Sequence, residues 1–214
     1  MKKIILIGVL IASQYNTIRA QETDSRDNLA VGLKAGANYS NVYDEQGDAF
    51  VADPKFGLAA GAFIAIPIGK YLGLQPEILL SQKGFQASGS ILGSNYNLKR
   101  TTTYVDVPLL FAFKPIEFFT LLAGPQYSYL INQKDVYSSG TTSIEQQKDF
   151  ANENLRRNIF CFTGGADITI KHIVIGARAG WDIQNNNGDG TSANPRYKNM
   201  WYQATFGYRF YSRN

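Results

Sequence analysis

Residues 29–39 read Leu29-Ala30-Val31-Gly32-Leu33-Lys34-Ala35-Gly36-Ala37-Asn38-Tyr39, and their two alternating sets differ in kind. Leu29, Val31, Leu33, Ala35, Ala37 and Tyr39 share one parity with no charge among them, whereas Gly32, Lys34, Gly36 and Asn38 share the other. Successive side chains of an extended strand point to opposite faces, so this stretch has one apolar and one polar face. Near the other end of the chain the pattern returns. Met200, Tyr202, Ala204, Phe206, Tyr208 and Phe210 face one way, and Gln203, Thr205, Gly207 and Arg209 the other.

Working outward from these two, strand candidates run from about 29 to 40, 56 to 67, 71 to 86, 100 to 114, 118 to 132, 157 to 170, 173 to 183 and 199 to 211. In a chain that is 18% charged, the roughly 48 positions on the apolar parities would carry about nine charges by chance. None is charged. A Lys or Arg facing lipid at the bilayer midplane costs about 2–4 kcal/mol, whereas the outer face of a soluble sandwich imposes no such penalty. A soluble eight-stranded lipocalin would place its apolar residues inside and its charges outside, the reverse of this arrangement.

The connections alternate in length: long near 41–55, short near 68–70, long near 87–99, short near 115–117, long near 133–156, short at 171–172 and long near 184–198. Short periplasmic turns and long outer loops are the rule in barrels of the bacterial outer membrane. Seven connections in this order predict an all-β, eight-stranded, antiparallel up-and-down transmembrane β-barrel with both termini in the periplasm and four loops outside. The third loop has room for a short helix around Glu145 to Leu155. Lipid-facing aromatics are expected at the two headgroup levels, with Phe56, Tyr129, Phe160, Trp181 and Tyr202 near the outer rim and Phe113, Phe119, Tyr208 and Phe210 near the periplasmic rim.

The first 20 residues read as an export signal. Lys2 and Lys3 precede the apolar run Ile4 to Ala12, which is too short to span a bilayer, and a cut after Ala20 would start the mature chain at Gln21. Residues 1–20 are thus expected to be a cleaved signal peptide and 21–214 one barrel domain. Removing Lys2, Lys3 and Arg19 from the 21 basic residues leaves 18 against 17 acidic ones, so the basic isoelectric point implies no nucleic-acid partner. The single cysteine, Cys161, excludes an intrachain disulfide and a lipidated first residue.

Leaving aside the first and last residue of each candidate strand, eight charges fall on the inner parity: Lys34, Glu77, Lys83, Asp106, Asp167, Arg178, Asp182 and Arg209, four of each sign. The bore of an eight-stranded barrel is just wide enough for side chains to fill, so these charges are expected to pair across the lumen as a structural network. Gly32, Gly36, Gly57, Gly61, Gly73, Gly165, Gly176, Gly180 and Gly207 lie on the same parity, where they are expected to leave room for the long Lys, Arg and Glu arms.

Several quoted segments together resemble a known family. They are Gly32-Leu33-Lys34-Ala35-Gly36-Ala37-Asn38, Leu74-Gln75-Pro76-Glu77-Ile78-Leu79-Leu80-Ser81-Gln82-Lys83-Gly84, Tyr104-Val105-Asp106-Val107-Pro108, and Ala123-Gly124-Pro125-Gln126 to Leu130. The chain is similar over nearly all its mature length to outer-membrane β-barrel proteins of the PorT-like, "porin family" type, which share an OmpX/OmpA-like architecture. The resemblance implies an outer-membrane location and insertion by the barrel assembly machinery, which recognises an aromatic-rich last strand. Tyr208, Phe210 and Tyr211 supply the aromatics here, although Ser212, Arg213 and Asn214 follow in place of a terminal Phe.

No chemistry beyond this is evident. A Ser-His hydrolase needs a His beside its nucleophile, and the one histidine, His172, falls in a tight turn on the periplasmic side. Cys161, on the inner parity, reads as a small apolar filler. Asn185, Asn187, Asp189 and Gly190 match the opening of a calcium loop, but Arg196 stands where a bidentate Glu is required. No catalytic, cofactor or metal residue is assigned. The primary expectation is a monomeric, non-enzymatic outer-membrane barrel in contact with outer-membrane lipid, a structural or surface-binding scaffold with a plugged polar interior and exposed loops. The alternatives are a narrow pore or a subunit of a secretion or uptake assembly, and then a membrane-embedded lipid hydrolase.

Overall fold

The computed structural model describes residues 25–43, 52–91, 94–139, 142–147, 156–186 and 197–211. After one 3-10 turn at Ser25–Asp27 these form β1 (Ala30–Tyr43), β2 (Asp53–Pro67), β3 (Leu72–Ile91), β4 (Ser94–Ile116), β5 (Phe119–Ser139), β6 (Thr142–Gln147), β7 (Asn158–Ile170), β8 (Ile173–Asp182) and β9 (Lys198–Tyr211). Each stave pairs antiparallel with its neighbours in the order β4-β3-β2-β1-β9-β8-β7-β5, and a β4–β5 ladder joins the two ends into a ring. Closure matters in lipid because no water is present to satisfy an open edge. β1 and β9 meet with Ala30 opposite Tyr211 and Tyr43 opposite Lys198, so the first and last staves begin and end at the same rim as the short turns.

Eight staves are therefore the outcome that the alternation implies, and β6 is an addition. It pairs with Lys134–Ser139 of β5, above the segment Phe119–Tyr129 that β7 occupies. Glu145, expected to open a short helix, instead pairs opposite Val136 in β6, while residues 148–155 lie outside the described residues. The second long loop is also not a loop. β3 and β4 stay in register from Leu72 opposite Phe113 to Ile91 opposite Ser94, leaving only residues 92–93 between them. Above the hydrocarbon neither face of a strand needs to be apolar, so the alternation stops while the backbone ladder continues. The proposed leader, residues 1–20, and the calcium-like spacing from residue 187 to Arg196 lie outside the described residues.

The apolar parity is the outer one. Leu33, Phe56, Leu58, Phe111 and Phe206 are exposed, with Phe56 at 72%, whereas Lys34, Glu77 and Asp106 are buried, the last at 1%. A soluble protein inverts this distribution. At the upper level Tyr39 stands opposite both Phe56 and Tyr202 and lies 4.9 Å from the Phe56 ring, while Phe160 and Trp181 are exposed on β7 and β8. At the short-turn rim Phe113, Tyr208 and Phe210 are exposed, and the Tyr208 and Phe210 rings lie 4.9 Å apart with their planes tilted by 59°.

The inner glycines divide by cause. A Cβ on Gly176 would lie 2.6 Å from Asp167 Oδ1 and 2.7 Å from Thr205 Oγ1, so this glycine does make room for the polar interior. At Gly36, Gly61 and Gly165 the obstacle is instead a backbone carbonyl of the next strand: Ala204 O at 1.9 Å, Ile78 O at 1.9 Å and Ala177 O at 2.0 Å. Those three permit the close strand approach of a narrow, strongly curved barrel rather than space for side chains. Gly84, at φ 143°, takes a backbone conformation that L side chains rarely adopt. Its N–H donates to Ser40 Oγ, and that hydroxyl in turn donates to the Gly84 carbonyl, each at 3.0 Å.

Candidate functional site

Because one parity of every stave points inward, side chains far apart in sequence converge in the bore. Near the short-turn end Lys34 of β1 forms an ion pair and hydrogen bond with Glu77 of β3. Arg178 of β8 grips Asp167 of β7 with two parallel bonds, Nη1 to Oδ1 at 2.7 Å and Nη2 to Oδ2 at 2.9 Å, and its Nη2 stands 3.7 Å from Glu77 Oε1. Gln75 ties the two carboxylates together, donating to Glu77 Oε1 at 2.9 Å and to Asp167 Oδ2 at 3.3 Å. Two-point guanidinium-carboxylate geometry gives direction as well as strength, so the four charges form one cross-lumen strut.

Halfway up, a polar layer from three staves follows. Gln203 donates to Asn38, and Asn38 to Ser81, both at 2.9 Å. Above it Lys83 reaches Asp106 at 3.1 Å and lies 3.7 Å over the ring of Trp201, a buried aromatic on the inner face. Ser128 donates to Asp106 Oδ1 at 2.6 Å. Cys161 is not an apolar filler. Its thiol donates to Asp182 Oδ1 at 3.1 Å and lies 3.3 Å from Ser128 Oγ. Asp182 Oδ2 accepts from Asn199 Nδ2 at 2.7 Å, from the Asn199 N–H at 2.9 Å and from Asn186 Nδ2 at 3.1 Å. Four donors thus hold this carboxylate without a direct ion pair.

Six of the eight expected charges therefore meet as Lys34–Glu77, Lys83–Asp106 and Arg178–Asp167. Asp182 and Arg209 do not meet, because they sit at opposite ends of adjacent staves: Trp181 pairs with Met200 at one rim and Ile173 with Tyr208 at the other. Reading the sequence missed a further pair at the upper mouth. Arg100 of β4 donates Nε and Nη2 to the two oxygens of Asp135 on β5, each at 2.8 Å, with Asp135 wholly buried and Tyr197 beside them. The missing signal is the length of β5, which runs past 132 as far as Ser139. Lys55, just before the expected start of β2, is likewise buried on the inner face.

The arrangement offers little to a substrate. Ser128, Lys83 and Asp106 have the residue types of a nucleophile, a base and an orienting acid, but Ser128 is 1% exposed and Lys83, also 1% exposed, is held against Asp106, so neither is open to a substrate. His172 is fixed rather than free. Its Nδ1 lies 2.8 Å from the Arg209 carbonyl and its ring stacks on Tyr208 at 5.3 Å, beside Lys171, whose φ of 55° makes the tight β7–β8 turn. Among the described residues no group of three His, Cys, Asp or Glu side chains is placed to hold a metal ion.

A family model described as outer membrane protein beta-barrel domain matches residues 19–187. Among solved structures the chain is similar to Ail, the attachment invasion locus protein of Yersinia pestis, at 16% identity and a TM-score of 0.50, covering 86% of this chain and 99% of that one. It is also similar to Neisserial surface protein A, at 10% identity and a TM-score of 0.46 over 85% of this chain and 99% of that one. The outer membrane protein OprG from Pseudomonas aeruginosa aligns at 12% identity and a TM-score of 0.43 over 86% and 97%. No curated protein matches the chain.

Proposed function

Because the chain belongs to the outer membrane protein β-barrel domain family, we propose that it serves as a non-enzymatic, monomeric scaffold of the bacterial outer membrane. Its leader is removed after export and the barrel assembly machinery inserts the mature chain. Both ends then lie in the periplasm with the short turns, and the β3–β4 and β5–β6 hairpins project outside as the surface that meets a partner. The observation that carries this reading is the interior: its carboxylates and most of its cations are engaged with one another or with neighbouring amides and hydroxyls, a filled core rather than a path or a catalytic cleft. Loops and hairpins on such a rigid stave set are where specificity resides.

Three measurements test it. Purified protein in planar bilayers should pass no steady current, and stable open channels would establish the narrow-pore reading instead. On intact cells, a cysteine at Lys99 in a Cys161→Ser background should react with an impermeant maleimide and one at Lys70 should not; the opposite result would invert the barrel. Phospholipid or lipopolysaccharide incubated with the protein should come back intact, and a released acyl chain would restore the hydrolase.

A further inference from the structure

Three prolines lie well inside staves, and the staves are consecutive: Pro76 on β3, Pro108 on β4 and Pro125 on β5. At each of them a ladder lapses. Between β2 and β3 the pairing steps from Phe63 opposite Glu77 to Ile66 opposite Leu74, passing over Pro76 and Gln75. Between β3 and β4 it steps from Pro76 opposite Leu109 to Leu79 opposite Asp106, passing over Pro108. Between β4 and β5 it steps from Pro108 opposite Gln126 to Phe111 opposite Ala123, passing over Pro125. The register is the same on both sides of every gap, so the cause is the absent proline N–H and not a bulge. The gaps also share one height, because Pro76 stands opposite Leu109 and the register sets Leu109 across from Pro125. In the described ladders of the other five interfaces the pairing is unbroken. Ile64, Ile78 and Leu109 are exposed on the outer face at this level, which therefore lies within the apolar band. Hydrocarbon supplies no water to replace a lost ladder bond, so three losses on adjacent staves concentrate weakness in one panel of the wall.

From inside, side chains tie this panel to the unbroken half of the ring. Gln75 and Glu77 stand on β3 within the gaps; Glu77 is held by Lys34 of β1 and faces Arg178 of β8, and Gln75 donates to Asp167 of β7. Behind lower β4 and β5 the inner wall is apolar instead, where the wholly buried Leu110 packs with Ala112 and Leu122. We propose that the β3–β4–β5 panel is a lateral leaf, which opens at the proline level toward the bilayer core and is latched shut by the contacts of Glu77 with Lys34 and Arg178. Local opening starts where a structure has the fewest cooperative bonds, and this level has the fewest in the ring. What the open leaf admits is apolar, because the route starts in hydrocarbon and ends on Leu110, Ala112 and Leu122. It runs sideways rather than along the bore, so it carries no ion current.

The test uses the full mature chain refolded into liposomes. In a Cys161→Ser background, Leu110→Cys puts a thiol behind the panel. Thr163→Cys is the reference, also buried on the inner face and at a similar height, but between the unbroken β5–β7 and β7–β8 ladders. A maleimide dissolved in the lipid should label position 110 roughly tenfold faster than position 163, whereas a polar maleimide of similar size should not. Equal rates at the two positions would overturn the leaf, and so would faster labelling from water, which would mean entry through a mouth. Glu77→Gln releases the latch and should raise the lipid-side rate at position 110. Pro76→Val with Pro125→Val returns two backbone donors and should lower that rate; no change in a folded double variant would count against the prolines as the cause. Amide exchange of the wild type in zwitterionic micelles needs no variant. The amides of 78–80 and 105–107, which border the gaps, should exchange roughly tenfold faster than those of 201–206 on β9, and equal exchange would remove the leaf whatever the variants do.

Discussion

Asp167 shows how one carboxylate can organise a bore. It accepts both terminal nitrogens of Arg178 and the Gln75 amide, and all three residues are buried. Asp167→Asn keeps the volume but leaves a buried guanidinium facing an amide, so it should cost about 3–5 kcal/mol, read as a lower urea midpoint in micelles. Trading both members for well-packed apolar residues should cost less, since the desolvation of the pair disappears with it. Cys161 tests the opposite end of the polar ladder. Wholly buried and hydrogen-bonded to Asp182, its thiol should resist maleimide in the folded barrel and react fully in urea, while Cys161→Ser retains the donor and the stability.

Single strands carry the lipid-facing argument. Leu33 is exposed on the outer face of β1, three residues past its start, and flanked across the sheet by Ala62 and Tyr208. Leu33→Arg should lower barrel stability by about 1–3 kcal/mol, between the interfacial and the midplane penalty, and reduce the inserted fraction, read from heat-modifiable gel mobility after refolding into liposomes. If Leu33→Arg inserts as well as the parent, the outer face has been misassigned. The hairpins differ from the staves because water, not hydrocarbon, surrounds them. Their pairing continues from Ala87 opposite Leu98 to Ile91 opposite Ser94 although the apolar alternation has ended.

The whole molecule is a ring whose closure depends on the β1–β9 and β4–β5 ladders and on the struts inside them. The projecting hairpins lie outside that circuit. Replacing residues 89–96 with a two-residue turn should therefore change the unfolding midpoint by less than about 0.5 kcal/mol, measured by urea titration in micelles, while removing any partner contact that the β3–β4 hairpin makes. A large loss of stability would mean that the outer hairpins brace the ring.

Sequence alone determined the stave count, the outward face of each stave, the identity of the eight inner charges and the common rim of the two termini. The physical reason is that hydrocarbon penalises a charge at every second position, and that penalty is written residue by residue in Leu33, Phe56 or Phe206 against Lys34, Gly57 or Thr205. What the tertiary structure decided lies where this filter is silent. Above the membrane the polar Ser88–Asn97 and Thr142–Gln147 segments still pair as strands, and Arg100 meets Asp135. Inside the bore the register across non-consecutive strands chose the partners. It brought Arg178 to Asp167 and Lys83 to Asp106, surrounded Asp182 with amides and a thiol, and left Arg209 at the rim without a carboxylate. Alternation fixes a face, but only closure of the ring fixes the height at which two inward side chains meet.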